Sequence, residues 1–120
     1  MAIVLDDVGE LAGTEEFLAL PAQLTIAVLP MRRYSEVYAR QALTAGRTVL
    51  LHLPLEATGG MDPGPGAIRT DWPPEQVRAQ LLADLAAVPG AAGVNNHMGS
   101  LGTSDEVLMR IILAGLKEKG

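Results

Sequence analysis

Acidic and histidine side chains occur in this sequence where three short apolar runs end. Asp6 and Asp7 close the first run, and the two histidines of the chain, His52 and His97, each follow a later one. In parallel α/β proteins, ligands bind beyond the carboxyl ends of the strands. One aspartate and two histidines would supply three oxygen and nitrogen ligands and leave a coordination position for water, which is typical of a catalytic zinc. The second aspartate could then accept the proton of an activated water molecule.

Each of these residues also has a structural interpretation. Adjacent aspartates such as Asp6 and Asp7 more often cap a helix or form a solvated turn. A histidine with apolar neighbours, as at His52, is more often a partly buried residue that hydrogen-bonds to backbone. Consecutive strand residues point to opposite faces, so both carboxylates reach one centre only where the backbone bends. Because these residues and His97 all lie at predicted strand ends, a shared metal site is favoured over a separate structural role for each of them.

Three more polar residues lie near these strand ends. Asn95 and Asn96 directly precede His97, and either amide could donate to an oxyanion or serve a turn. Glu56 lies four residues after His52, beyond Pro54. It could fold back as a metal ligand or accept a hydrogen bond from the imidazole N–H.

The apolar runs themselves predict the strands that would position these side chains. They are continuous rather than alternating, as in strands buried on both faces of a parallel sheet. The predicted strands cover residues 2–5, 24–29, 47–51 and 91–95.

Three helices are predicted between and after the strands, over residues 34–45, 74–88 and 104–118. This alternation predicts an α/β fold with a parallel sheet and right-handed crossovers. The predicted core-facing residues are Tyr34, Val37, Tyr38 and Ala42 on the first helix and Val107, Ile111 and Ala114 on the third. On the second helix they are Val77, Leu81, Leu85 and Val88, and Asp84 lies off this apolar stripe. Thr103 and Glu106 have the spacing of a capping box at the start of the third helix. The Pro/Gly-rich stretch 57–72 is either a functional lid or a rigid surface loop.

Composition limits the classes of function. With 120 residues, 48% of them hydrophobic, the chain is predicted to form a single domain over 1–120. A net charge of −5 argues against nucleic-acid binding, and the absence of cysteine excludes disulfides and thiolate metal sites. No apolar segment reaches the ~20 residues of a membrane span, so no membrane insertion is predicted. No secretory signal pattern is present, and the compartment stays unassigned.

Chain length sets a further expectation. A closed (β/α)8 barrel usually needs ~250 residues, and this chain supplies about half the strands. We therefore expect either part of a barrel or an open sheet. An uncovered sheet edge invites pairing, so a second copy of the chain could cover it as a homo-oligomer.

Five segments of the chain, taken in order, carry a family resemblance. They are IVLDDVG at 3–9, TIAVLP at 25–30, LLHLPLE at 50–56, PGPGA at 63–67 and GVNNHMGS at 93–100. Together they resemble the divergent polysaccharide deacetylases, relatives of the NodB-type carbohydrate esterases. The most specific parts are Asn-Asn-His-Met-Gly-Ser in the last segment and His-Leu-Pro-Leu-Glu in the third.

The resemblance implies a distorted (β/α) barrel of the glycoside hydrolase/deacetylase type with a divalent metal, zinc being expected, at its C-terminal face. It implies removal of N-acetyl groups from a polysaccharide or oligosaccharide by metal-activated water. By this resemblance Asp6 is the base, and Asp7 and His52 are metal ligands. Ordinary deacetylases have a second histidine four residues after the first, where this chain has Glu56. His97 then becomes the candidate for the missing nitrogen ligand.

The chain resembles the N-terminal portion of such a domain, because later strands that bring a general acid in ordinary deacetylases have no counterpart here. We expect it to bind metal more readily than it turns over substrate. The alternative from another class is a non-catalytic carbohydrate- or metal-binding domain. An unrelated metal hydrolase such as a phosphatase ranks last, because only Arg32 and Arg33 lie near a strand end as phosphate ligands. Relatives act at the bacterial cell envelope.

Overall fold

A computed structural model describes residues 2–21 and 23–120, and its centre is a single parallel sheet. Within these residues the strands are β1 (Ile3–Val8), β2 (Leu24–Val28), β3 (Thr48–Leu55) and β4 (Val94–Met98). The strand order in the sheet is β1-β2-β3-β4, so each strand pairs with its neighbours in sequence. Strands and helices alternate in this way around half a (β/α) barrel, which confirms the predicted α/β class and partial barrel.

The helices connect and cover the strands. In the same described part of the chain they are α1 (Glu15–Leu18), α2 (Ser35–Thr44), α3 (Pro74–Ala87) and α4 (Glu106–Lys119). The last three match the predicted helices to within two residues at each end. The sequence did not predict α1, because four residues are too few to show helical periodicity. None of the helices in the described residues has the length and apolar character of a membrane span.

The core lies between one face of the sheet and the helices. Alternate residues of the strands, including Ile26, Val28, Val49, Leu51, Leu53 and Leu55, pack there against Tyr38, Ala42, Val77, Leu81, Leu108 and Ile112. Because side chains alternate between faces, the residues between these positions point to the opposite face. His52 is one of them.

Three strands continue further than the sequence predicted. β1 runs to Val8, β3 to Leu55 and β4 to Met98. The prediction ended each strand near its first polar residue, although pairing between backbones continues past it. Asp6, Asp7, His52 and His97 therefore lie inside the strands, near their carboxyl ends, and not after them.

Two predicted helix faces were partly wrong. Val37 is 44% exposed and Val107 is 69% exposed, although both were predicted to face the core. Ala39 is buried in α2, and Leu108 and Ile112 are buried in α4. For α4 the predicted face was shifted by one residue, since consecutive apolar residues leave the direction of the stripe ambiguous.

The N-terminus of α4 is capped by a residue other than the predicted one. Asp105 is the N-cap, and its carboxylate accepts a hydrogen bond of 2.8 Å from the Leu108 amide. The Thr103 hydroxyl donates instead to the Gly99 carbonyl, and Glu106 pairs with Arg110. The capping-box prediction was wrong because Asp105, which can also cap a helix, directly precedes α4.

The stretch 57–72 is anchored to the sheet. It contains a 3₁₀ turn over Thr58–Gly60 and a parallel bridge between Ile68 and Leu55. The Ile68 amide donates to the Pro54 carbonyl, the Glu56 amide donates to the Ile68 carbonyl, and Ile68 is fully buried. These contacts hold the loop against the end of β3.

Asp84 lies in the core, although the sequence placed it off the apolar stripe of α3. It is fully buried, and its Oδ1 accepts a hydrogen bond of 2.9 Å from Gln80. Gly66 packs against it so closely that an added Cβ would lie 2.5 Å from Oδ1. Burial raises the pKa of Asp84 to about 7, and the hydrogen bond from Gln80 opposes this rise.

We predict a pH-dependent effect of Asp84→Asn on the free energy of unfolding. The carboxyl has a higher pKa in the folded state than its ordinary 3.8, so the folded chain binds this proton more tightly. Its stabilising contribution is present below about pH 4 and is lost as pH rises to about 7. Between about pH 4 and pH 8, the free energy of unfolding of Asp84→Asn should therefore rise relative to wild type by a few kcal/mol, at most about 4. Urea titrations across this pH range measure the difference.

The matched control is Glu75→Gln, which changes an exposed carboxylate on the same helix. Its stability relative to wild type should not vary with pH in this manner. An Asp84→Asn variant with the same pH profile as wild type would contradict the prediction.

Candidate metal centre

Three potential ligand atoms converge on the face of the sheet opposite the core. Asp7, His52 and His97 each offer one such atom, and these atoms all lie within 4.8 Å of one another. Asp7 Oδ1 is 3.2 Å from His52 Nε2 and 2.9 Å from His97 Nδ1. The two imidazole rings have centroids 5.0 Å apart. The structure thus brings together the three residues that the sequence proposed as metal ligands.

The register between β3 and β4 positions the two histidines. His52 is paired with Asn95, and Pro54 is paired with His97. Positions separated by two residues share a face of a strand, so both histidine side chains project from the same face. The parallel register of β3 and β4 therefore brings the two histidines together.

The two aspartates reach this face because β1 is irregular. Its register against β2 shifts between Leu5 and Val8, and Asp7 has a φ of 61°. A positive φ is uncommon for a residue other than glycine, and such conformations cluster at functional sites. Met98, directly after His97, also has a positive φ, of 53°. The irregular backbone replaces the strict alternation that would send Asp6 and Asp7 to opposite faces.

The donor set fits a divalent metal. Tetrahedral zinc with bonds of about 2.0–2.2 Å has ligand atoms about 3.4 Å apart. The observed separations of 3.2 and 2.9 Å from Asp7 Oδ1 are close to that spacing. Two imidazole nitrogens and one carboxylate oxygen also match the ligands that zinc prefers.

Burial favours the metal-binding form of His97. Partial burial lowers the pKa of its imidazole, and the Asp7 carboxylate opposes this, while His52, when protonated, and Arg32 act in the same direction as burial. Neutral imidazole is the form that binds metals. His52 is more enclosed, at 4% exposure, and Asp7 is exposed, so the site is closed on one side and open on the other.

The amide and acidic candidates separate into two groups. Asn95 joins the cluster, since its Nδ2 donates to Asp6 Oδ1 over 2.8 Å and its Oδ1 lies 2.9 Å from His52 Nδ1. Asn96 is exposed, and its amide donates to the Met98 carbonyl. Its side chain therefore turns back to its own strand.

Glu56 is held by other partners. Its carboxylate accepts hydrogen bonds from the Thr70 amide and hydroxyl, at 2.8 and 2.7 Å, and pairs with Arg69. The hydrogen bonds from Thr70 lower its pKa first, and the charge of Arg69 adds to them. His52 instead has Asn95 and Asp7 at its two nitrogens. The expectation that Glu56 would fold back onto the imidazole does not fit these contacts.

Arg32, which the sequence offered only as a phosphate ligand, lies near the site and has other partners. It forms an ion pair of 2.8 Å with Glu10 and donates to the Pro63 carbonyl. Its charge is also one of the causes that lower the pKa of His97. The available signal was its position two residues after Pro30, at the carboxyl end of β2.

A groove borders the aspartates. Its volume is about 380 Å³, and its lining includes Asp6, Asp7, Glu10, Leu11 and Phe17. Phe17 is 46% exposed and Leu11 is 75% exposed. The groove therefore combines carboxylates with apolar side chains.

Comparison with known proteins agrees with this picture. The chain is 32% identical over 120 residues to an uncharacterized protein of Haemophilus influenzae, covering 99% of this chain and 43% of that protein. It is 31% identical over 118 residues to the uncharacterized protein YibQ of Escherichia coli, covering 98% and 37% respectively. The chain thus spans less than half the length of these curated relatives.

Among solved structures, the fold matches the crystal structure of the uncharacterized protein ATU2773 from Agrobacterium tumefaciens. The TM-score is 0.91 at 23% identity, covering 99% of this chain and 50% of that one. This match shows the shared fold. The model of the family described as divergent polysaccharide deacetylase matches residues 3–120. This chain therefore belongs to the divergent polysaccharide deacetylase family.

Proposed function

We propose that this chain carries the metal site of a hydrolase that removes N-acetyl groups from a polysaccharide or oligosaccharide. Asp7, His52 and His97 would hold a divalent metal, with zinc expected from the two nitrogen ligands and one oxygen ligand. The observation that carries the proposal is the convergence of their ligand atoms within 4.8 Å. Membership of the deacetylase family supports the reaction class.

The chain's own residues have distinct tasks in this proposal. When bound, a divalent metal supplies Lewis-acid activation of a water molecule. Asp6 would act as the general base and take a proton from water. Its Oδ1 lies 3.7 Å from His52 Nδ1 and is hydrogen-bonded by Asn95, while 48% of its side chain stays exposed to solvent. Asp6 is thus fixed beside the ligands yet accessible to water and substrate.

The groove beside the aspartates is the proposed place for substrate. A sugar ring has apolar C–H faces that pack on aromatic rings, and Phe17 offers an exposed side chain in the lining of the groove. The carboxylates in the same lining would lie next to the reacting acetamido group.

A non-catalytic carbohydrate- or metal-binding domain is the second candidate. The observation that favours it is Glu56, which stands where ordinary deacetylases have a second histidine and is held by Thr70 and Arg69. The phosphatase alternative is disfavoured because the nearby cations have partners. Arg32 pairs with Glu10, and the Arg33 guanidinium lies 5.3 Å from the centroid of the Tyr34 ring.

We predict that His97→Ala weakens zinc binding. Isothermal titration of the tag-free chain with zinc should show one site in the wild type. Mutations of residues that only orient a ligand weaken metal affinity by up to about 100-fold. Because His97 is itself a proposed ligand, its loss should weaken zinc affinity by more than that. The matched control, Asn96→Ala at the neighbouring exposed position, should bind zinc as wild type does. No binding by wild type, or equal affinity after His97→Ala, would refute the proposed site.

We also predict that Asp6→Asn separates catalysis from metal binding. The amide can still accept the hydrogen bond from Asn95 but cannot take a proton. Acetate release from N-acetylglucosamine oligomers should fall by about 10²–10⁴-fold, with zinc affinity close to wild type. If zinc-loaded wild type releases no acetate, the non-catalytic alternative is favoured. If Asp6→Asn keeps full activity, another residue is the base.

A further inference from the structure

Asn95 connects the proposed base with one of the proposed metal ligands. Its amide nitrogen lies 2.8 Å from Asp6 Oδ1, and its amide oxygen lies 2.9 Å from His52 Nδ1. A single side chain therefore bridges two groups that have different tasks in the site.

The direction of both hydrogen bonds follows from the chemistry of the groups. A carboxylate oxygen accepts hydrogen bonds and has no proton to donate, so the amide nitrogen of Asn95 must face Asp6. The amide oxygen then faces His52, and it can only accept. In a neutral His52 ring the hydrogen bond to Asn95 requires the hydrogen on Nδ1, whereas a hydrogen bond to Asp7 would require it on Nε2. The contact with Asn95 is the shorter of the two, 2.9 Å against 3.2 Å, and favours the hydrogen on Nδ1.

This tautomer has a consequence at the other ring nitrogen. With the hydrogen on Nδ1, the His52 Nε2 atom has a free lone pair, and it points at Asp7 Oδ1 only 3.2 Å away. His52 Nε2 and Asp7 Oδ1 are then both electron-pair donors, and both could bind the same cation. The structure around His52 thus presents the nitrogen in the form that a metal requires.

We propose that Asn95 is a positioning residue that sets the tautomer of His52 and, with the same amide group, orients Asp6. This inference rests on the proposed function, because it assigns Asn95 to the same metal site. Asn95 acts through His52 and Asp6 and does not contact the reacting atoms. It differs from the oxyanion donor that the sequence offered for either asparagine.

The local structure makes Asn95 specific for this task. The parallel register places it directly opposite His52. His52 is 4% exposed, so water has little access to replace the hydrogen bond at Nδ1. Aspartate at this position could accept from His52 but could not donate to Asp6, and leucine could do neither. Asn96 is exposed and bonded to Met98, and so provides a neighbouring control.

The first test measures the tautomer directly. The side-chain ¹⁵N resonances of His52 are recorded by NMR in the metal-free protein, at a pH where the ring is neutral. The wild type, Asn96→Leu and Asn95→Asp should have the hydrogen on Nδ1. In Asn95→Leu the ring should become a mixture with hydrogen on Nε2. Hydrogen on Nε2 in the wild type overturns the proposal, even if Asn95→Leu does not fold.

The second test measures zinc affinity in the same variants. Asn95→Leu should bind zinc about 10–100-fold more weakly than wild type, the range for residues that orient a ligand. Asn95→Asp and Asn96→Leu should lose less than that. Equal affinity of Asn95→Leu and wild type overturns the role of Asn95 while leaving the metal site intact. If wild type binds no zinc, the proposed function fails, and the tautomer measurement still decides the inference about Asn95.

Discussion

The alternation of side chains across one parallel sheet is the constraint on which the rest of this structure depends. Every second residue of β3 enters the apolar core beneath the helices, and the residues between them, including His52, face the other way. The register with β4 then brings Asn95 opposite His52 and His97 opposite Pro54. The burial that stabilises the fold and the convergence of the polar groups are therefore two results of the same strand pairing.

β1 contributes by departing from that regularity. A regular strand would present Asp6 and Asp7 on opposite faces, and only one could approach the histidines. The shifted register and the left-handed backbone at Asp7 let both carboxylates reach the same cluster, where each contacts His52 or its partner Asn95. The unfavourable backbone conformation is tolerated at the end of a paired strand, where neighbouring strands hold the chain in place.

The sequence predicted the elements and the polar cluster because both follow from local patterns. Continuous apolar runs identify buried parallel strands, and the only two histidines follow two of these runs. What it missed depends on contacts distant in sequence. Asp84 is polar but fills a space closed by Gly66, and Glu56 is turned away by Thr70 and Arg69. The exact face of α4 and its cap at Asp105 were missed because neighbouring residues offered equally good local choices.

The bridge between Ile68 and Leu55 has a consequence for how this loop can vary in evolution. The backbone of Ile68 is hydrogen-bonded to Pro54 and Glu56, the two neighbours of Leu55. Ile68 therefore extends the sheet by one residue beside the end of β3, the strand that carries His52. Insertions or deletions at 59–61, before the contacts made by Pro63 and Gly66, can leave Ile68 in place. A change in length after Ile68 would instead displace Thr70 from Glu56. The first part of the loop can therefore change in length without disturbing the strand that carries His52.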